Sequence, residues 1–93
     1  MKAIWNDTVI AESNDTKIVE NNHYFPAESI NKEFFEKTAT QTNCPWKGMA
    51  SYYSINANGS QNKDAAWYYP QAKHGAKEIE GHVAFWKGVK VTD

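Results

Sequence analysis

Ninety-three residues with a formal net charge of −1, 41% hydrophobic and 14% aromatic, make one domain with a thin core in which rings supply much of the buried area. All ten basic residues are lysines interspersed with carboxylates, so the arginine fork that reads phosphates and guanine edges is missing and no nucleic-acid partner is expected. No apolar run approaches the roughly 20 residues that span a bilayer, and the run at residues 1–5 breaks too soon for a signal peptide; the expectation is a soluble cytoplasmic protein with no membrane partner.

The first quarter reads as a β-meander. Asn6-Asp7, Asn14-Asp15 and Asn21-Asn22 are turn dipeptides tolerant of positive φ, and short β-prone runs separate them. Two-residue turns place Ile4 opposite Val9 and Ala11 opposite Ile18, and set Glu12 against Lys17 as a surface ion pair. Residues 26–30, opening on Pro26, form a tight turn or one helical turn. Residues 31–37 alternate charge with phenylalanine as a strand, in which the adjacent Phe34 and Phe35 face opposite ways. Residues 38–43, rich in threonine and asparagine, read as a polar connection.

Asn58-Gly59 is the strongest turn signal in the chain, the favoured pair for a type I′ hairpin. As a two-residue loop it pairs Ala57 with Ser60. Counting back, Tyr52 faces Ala65, Ala50 faces Trp67 and Gly48 faces Tyr69, large against small. Ala50, Tyr52, Ala65, Trp67 and Tyr69 then share one face, while Ser51, Tyr53, Asp64, Ala66 and Tyr68 share the other, more polar one. Asp64, opposite Tyr53, accepts its hydroxyl hydrogen or meets solvent. Residues 73–80 read as two helical turns stopped by Gly81. Residues 81–87 resume strand character, with Val83 and Phe85 on one face and His82, Ala84 and Trp86 on the other.

Chemistry concentrates at Cys44-Pro45-Trp46-Lys47-Gly48, just before the aromatic strand. A single cysteine excludes a disulfide framework and a multi-thiolate zinc site; His23, His74 and His82 lie far apart without ligand spacing, so no metal is expected. Cys44 reads as a buried small apolar residue or as a nucleophile whose thiolate Lys47 favours, its base then arriving through the fold from His23, His82 or Glu20. Lys47 is a solvated loop residue or the contact for an anionic group beside the rings. Trp46 shields the thiol or stands exposed as a recognition surface. Tyr52, Trp67 and Tyr69 are core, or the wall of a pocket that Gly48 lets a ligand or Tyr69 approach closely. Glu20, with Tyr24-Phe25-Pro26 after it, is a second cluster whose carboxylate is solvated by default.

Glu20, Tyr24-Phe25-Pro26, Cys44-Pro45 with Lys47-Gly48, Ala50, Tyr52-Tyr53, Ala66-Trp67, Tyr69-Pro70 and Val83-Ala84-Phe85 together resemble the pattern of the domain of unknown function 427 family. The similarity runs over residues 3–91. The family comprises small, mostly bacterial domains, and the resemblance implies an antiparallel all-β fold with minor helix. It also carries a nucleotidyltransferase-type label, yet this chain has no glycine-rich phosphate loop and no paired aspartates for magnesium. Many relatives place an arginine and an acidic residue after the Tyr-x-Pro element, where this chain has Ala27-Glu28-Ser29-Ile30.

The expectation is therefore one all-β, mainly antiparallel domain over residues 1–93, a two-sheet sandwich or a partly closed, tent-like form with one or two short helices. Its leading function is small-molecule binding, with Tyr52, Trp67, Tyr69 and Phe85 as apolar wall, Glu20, Cys44 and Lys47 as the few orienting polar groups, and Tyr24 as a further ligand-binding candidate. A planar ring or a cation suits such a wall, and no cofactor is expected. Two alternatives stand beside it. One is an enzyme, cysteine-dependent or of nucleotidyltransferase type, with Cys44, Lys47 and Glu20 as catalytic candidates. The other is a structural or partner-binding domain that presents Trp46 or Trp86.

Overall fold

The computed structural model describes residues 1–93, and two of its hairpins turn on local residue chemistry. Asn6 and Asp7 both take positive φ (50° and 61°) and join β1 (Lys2–Trp5) to β2 (Thr8–Glu12), with Ile4 opposite Val9 as a two-residue turn predicts. Asn58 and Gly59 (φ 51° and 78°) do the same between β6 (Gly48–Ala57) and β7 (Ser60–Tyr68), pairing Ala57 with Ser60. In the short hairpin of β3 (Lys17–Val19) and β4 (Asn22–Tyr24) the positive-φ pair is Glu20 and Asn21, one residue earlier than the asparagine pair.

Asn14-Asp15 makes no hairpin. The Met1 amino group donates to the Ser13 carbonyl and the Ser13 N–H to the Met1 carbonyl, which ties the end of β2 to the start of the chain. The chain then bends away at Ser13, whose hydroxyl accepts the Asp15 N–H. Ala11 consequently faces Ala3 and bridges to Ile30 rather than meeting Ile18, and Glu12 faces Lys2, so the expected Glu12–Lys17 ion pair does not form.

After Pro26 a 3-10 turn (Ala27–Ser29) is closed by the Ser29 N–H and hydroxyl on the Pro26 carbonyl, and a second follows at Lys32–Phe34. The strand expected from residue 31 therefore begins only at Phe35. It then runs ten residues as β5 (Phe35–Cys44), straight through the stretch expected to be a connection. β5 is the edge of its sheet with one side toward solvent, so β-branched threonine suffices and no apolar alternation announces it. β8 (Val83–Phe85) and β9 (Lys90–Thr92) complete the set. The segment expected to be two helical turns is a 3-10 stretch, His74–Ile79, broken at Ala76 and ended by Gly81 at φ 76°.

Every strand pair is antiparallel. The strands divide among three sheets, β2-β1-β9, β3-β4 and β5-β6-β7-β8, none closed on itself. The four-stranded sheet buries both faces. Ile55, Ala66, Val83 and Phe85 point to one side, against Ala3, Ile10, Ala11, Phe25 and Ile30. Ala50, Tyr52 and Ala84 point to the other, against Tyr24 from β4 and Ala72, Ala76 and Ile79 from the 3-10 segment. No helix is long and apolar enough to cross a membrane.

The β6–β7 register departs from the simple hairpin count. Ile55 still faces Asn62, but Tyr53 faces Ala66 and Tyr52 faces Trp67, so residues 63–65 stand opposite Ser54 alone. Asp64, at φ 54°, turns the corner of this bulge. β5 carries a matching slip: Lys37 faces Tyr53, then Gln41 faces Ser51. Asp64 locks the two together across β6. Its carboxylate accepts the Thr38 and Thr40 hydroxyls at 2.7 Å each, and its N–H donates to Ser54 Oγ at 3.1 Å. It is thus no partner of Tyr53. Because the slip is two residues, parity survives and Tyr52, Trp67 and Tyr69 stay on one side of the sheet, whereas Ala65 joins Ala66 on the other.

Candidate functional site

Gly48 decides where Lys47 points. At φ 121° a side chain is strained, and a Cβ there would lie 3.0 Å from the Gln71 carbonyl oxygen, so glycine is what lets residues 71–73 lie against the loop. The close approach is to this segment, not to Tyr69 as the unslipped register predicts. The Lys73 N–H donates to the Lys47 carbonyl at 2.9 Å, and Lys73 Nζ to the Pro45 carbonyl at 2.7 Å. Pinned in this way, Lys47 turns inward and is only 6% exposed.

The Lys47 ammonium donates to Glu20 Oε1 and lies 5.4 Å from the Trp46 ring centroid and 5.6 Å from that of Tyr69, within cation–π range. Burial disfavours the charge, but the hydrogen bond to Glu20, then the neighbouring Tyr24 and Tyr69 phenols and the Glu20 charge, together outweigh this, and the Lys47 pKa ends above its ordinary value. Glu20, whose side chain is 55% exposed, is held below the usual carboxylate range by the hydrogen bond and charge of Lys47. Both groups are therefore ionised at neutral pH. A permanently charged lysine is a poor Schiff-base nucleophile and a good anion contact.

Lys47 forms one side of a cleft of about 190 Å³ whose other walls are Tyr52, Trp67, Tyr69 and Trp86. The rings are held from behind. Trp67 Nε1 donates to the Tyr24 hydroxyl at 3.2 Å, Trp86 Nε1 to the Asp64 carbonyl at 2.6 Å, and the Tyr52 hydroxyl bonds Thr42 Oγ1 at 2.9 Å. Trp67 and Trp86 meet edge to face, centroids 6.0 Å apart at 83°, and Trp67 meets Tyr24 similarly at 6.2 Å and 87°. The bulge that shifts the register thus also supplies the oxygen that fixes one wall. Burial pushes the Tyr69 phenol up to about 12, so it stays protonated.

Four of the residues singled out from sequence, Lys47, Tyr52, Trp67 and Tyr69, come together in this cleft. Tyr24 is wholly buried behind Trp67 and does not line it; Glu20 reaches Lys47 from solvent. Cys44 is half-buried against the Tyr24, Ala50 and Tyr52 cluster, stands outside the lining and makes no hydrogen bond. The bases proposed for it are engaged elsewhere: a His23 ring nitrogen with Thr16 Oγ1 at 3.2 Å, His82 with the Glu80 carbonyl at 3.2 Å, and Glu20 with Lys47. Phe85 is not part of the wall; it packs on the opposite face of β8, against Phe25 at 5.5 Å between centroids. Trp86 takes the place expected of it. Alternation had already put Trp86 beside Ala84, but only the pairing of Ala84 with Trp67 shows that this face looks into the cleft.

The fold and the cleft define a small antiparallel β domain with an aromatic cleft bounded by an internal lysine–glutamate ion pair. A family model described as domain of unknown function (DUF427) matches residues 1–93, and the chain belongs to that family. No curated protein matches it.

Proposed function

We propose that this domain binds a small molecule built on one planar ring, held in the cleft of Lys47, Tyr52, Trp67, Tyr69 and Trp86. The observation that carries the reading is that four aromatic side chains and one buried lysine line the same cleft. Ligand sites are mostly apolar with a few placed polar groups, and walls already anchored by their own hydrogen bonds lose little freedom on binding. Size narrows the class. An apolar cavity of roughly 150 Å³ accepts benzene, whereas drug-sized ligands occupy roughly 300–1,000 Å³. A cleft of about 190 Å³ suits a single ring with a small substituent as the part of a ligand it encloses.

No group of three His, Cys, Asp or Glu side chains is placed together, so a nucleotidyltransferase metal would have to rest on one or two carboxylates and the substrate's own phosphates. Of the two ligand types first considered, the planar ring stays and the cation goes, because Lys47 brings a like charge to the cleft. In this reading Glu20 sets the charge of Lys47, Tyr24 steadies Trp67, and Cys44 is packing.

The test is a titration of single-ring and fused-ring fragments followed through the four tryptophan indole N–H resonances. Trp67 and Trp86 should shift while Trp5 serves as an internal reference, and Trp67→Ala should abolish binding. Fragments that leave both indoles unmoved, or bind the variant equally well, would overturn the reading.

A further inference from the structure

Resting on that reading of the cleft, we propose that its ligand is an aryl carboxylate, and that Glu20 is an internal place-holder for the ligand's carboxylate at Lys47 Nζ. The argument begins with a count of donors. An ammonium carries three N–H donors; Glu20 Oε1 accepts one, the Tyr69 phenol oxygen lies close enough for Lys47 to draw its pKa down, and the face of Trp46 adds no oxygen acceptor. The Tyr69 hydroxyl, on the same cleft, has no acceptor for its hydrogen, whereas the Tyr52 hydroxyl is engaged with Thr42. The polar side of the cleft is thus a surplus of donors beside a full positive charge, and what complements it is an acceptor that is itself negative.

The two partners of the ion pair differ in what holds them. Lys47 is held at its backbone by Lys73 and by the packing of the next glycine on Gln71, and its side chain is buried. Glu20 sits at the tip of a hairpin of two three-residue strands with its side chain mostly in water, so it can release the lysine and hydrate at small cost. Without ligand, Glu20 spares the buried ammonium from standing uncompensated; with ligand, the incoming carboxylate takes that role. One internal cation matches one negative charge. A dianionic phosphate would bring a second charge with nothing in the lining to meet it.

The experiment compares phenylacetate with phenylacetamide, acetate and phenyl phosphate on the full chain at neutral pH, by calorimetry and by the Trp67 and Trp86 indole resonances. Phenylacetate should bind about tenfold tighter than its neutral amide, acetate alone should not move the indoles, and phenyl phosphate should bind more weakly than phenylacetate. Glu20→Gln, a change at an exposed side chain, should tighten phenylacetate about tenfold and leave phenylacetamide unchanged. Lys47→Met should erase the preference for the acid. Equal binding of acid and amide at the same two indoles overturns the carboxylate assignment while leaving the cleft as a ligand site. Tighter binding of phenyl phosphate overturns the single-charge match. Unchanged phenylacetate affinity in Glu20→Gln overturns the place-holder. If no probe moves either indole, both this inference and the function it rests on fail.

Discussion

Changing Asp64 to Asn should weaken the domain by about 1.5 kcal/mol at neutral pH, and the cause should be two hydroxyls rather than a core contact. The carboxylate accepts Thr38 and Thr40 at 2.7 Å each, tying the bulges on β5 and β7 across the strand between them. Hydrogen bonds to an ionised acceptor contribute roughly 1.5–3 kcal/mol each when dry; the partial exposure of this side chain cuts that to about 1. Asparagine keeps the positive φ the bulge needs and one acceptor oxygen, so it loses the charge and part of the bonding. Alanine loses both bonds and takes the left-handed backbone penalty as well, for a total of about 3 kcal/mol. In a chain this short, about 1.5 kcal/mol corresponds to a fall in Tm of roughly 6–12 °C. The sign with pH follows from the hydrogen bonds of Thr38 and Thr40, which hold the Asp64 pKa below its ordinary value. The contribution is complete above the unfolded-state pKa and is lost as pH falls through the lower folded-state one. Urea unfolding of wild type and Asp64→Asn should therefore show a gap that closes as the pH falls below the ordinary carboxylate range. A gap of the same size in acid, or undiminished in a Thr38→Val/Thr40→Val background, would refute the account.

Three further outcomes are expected. Gly48→Ala should cost about 2–3 kcal/mol, since its Cβ meets the Gln71 carbonyl at 3.0 Å from a strained φ; it should also loosen Lys47, which faster amine acetylation at that residue would show. Tyr24→Phe removes the acceptor of the Trp67 indole, so stability should drop by about 1 kcal/mol and the Trp67 indole N–H resonance should move while that of Trp86 stays. Cys44→Ala should change fragment affinity by less than about twofold while costing about 0.5–1 kcal/mol of packing; a tenfold loss of binding would place the thiol in the site after all.

How much of this could be read from the sequence depends on the range of the force involved. Asn6-Asp7 and Asn58-Gly59 announce their hairpins because positive φ is a preference of the residues themselves, independent of what packs around them. The shared face of Tyr52, Trp67 and Tyr69 follows from strand alternation, and it outlasted a wrong register because a slip of two residues preserves parity. β5 went unread because an edge strand with a solvated side needs no apolar period, and Asn14-Asp15 misled because a bond between the chain start and Ser13 outweighs a turn preference.

The cleft lies at the other end of that scale. The bulge at Asp64 is held by Thr38, Thr40 and Ser54, spread over two other strands. Lys47 is internal only because Gly48 packs on Gln71 and because a carboxylate 27 residues earlier in the chain reaches its ammonium. Trp86 rather than Phe85 faces the rings because β8 pairs with β7 in one register and not the next. By itself the sequence determined the turns, the alternating faces and the candidate residues, all settled by torsional preference within a few residues. The tertiary structure alone decided which of those residues meet in one cleft and which of its cations is buried, because burial and ion pairing are energies of segments that become neighbours only when the chain folds.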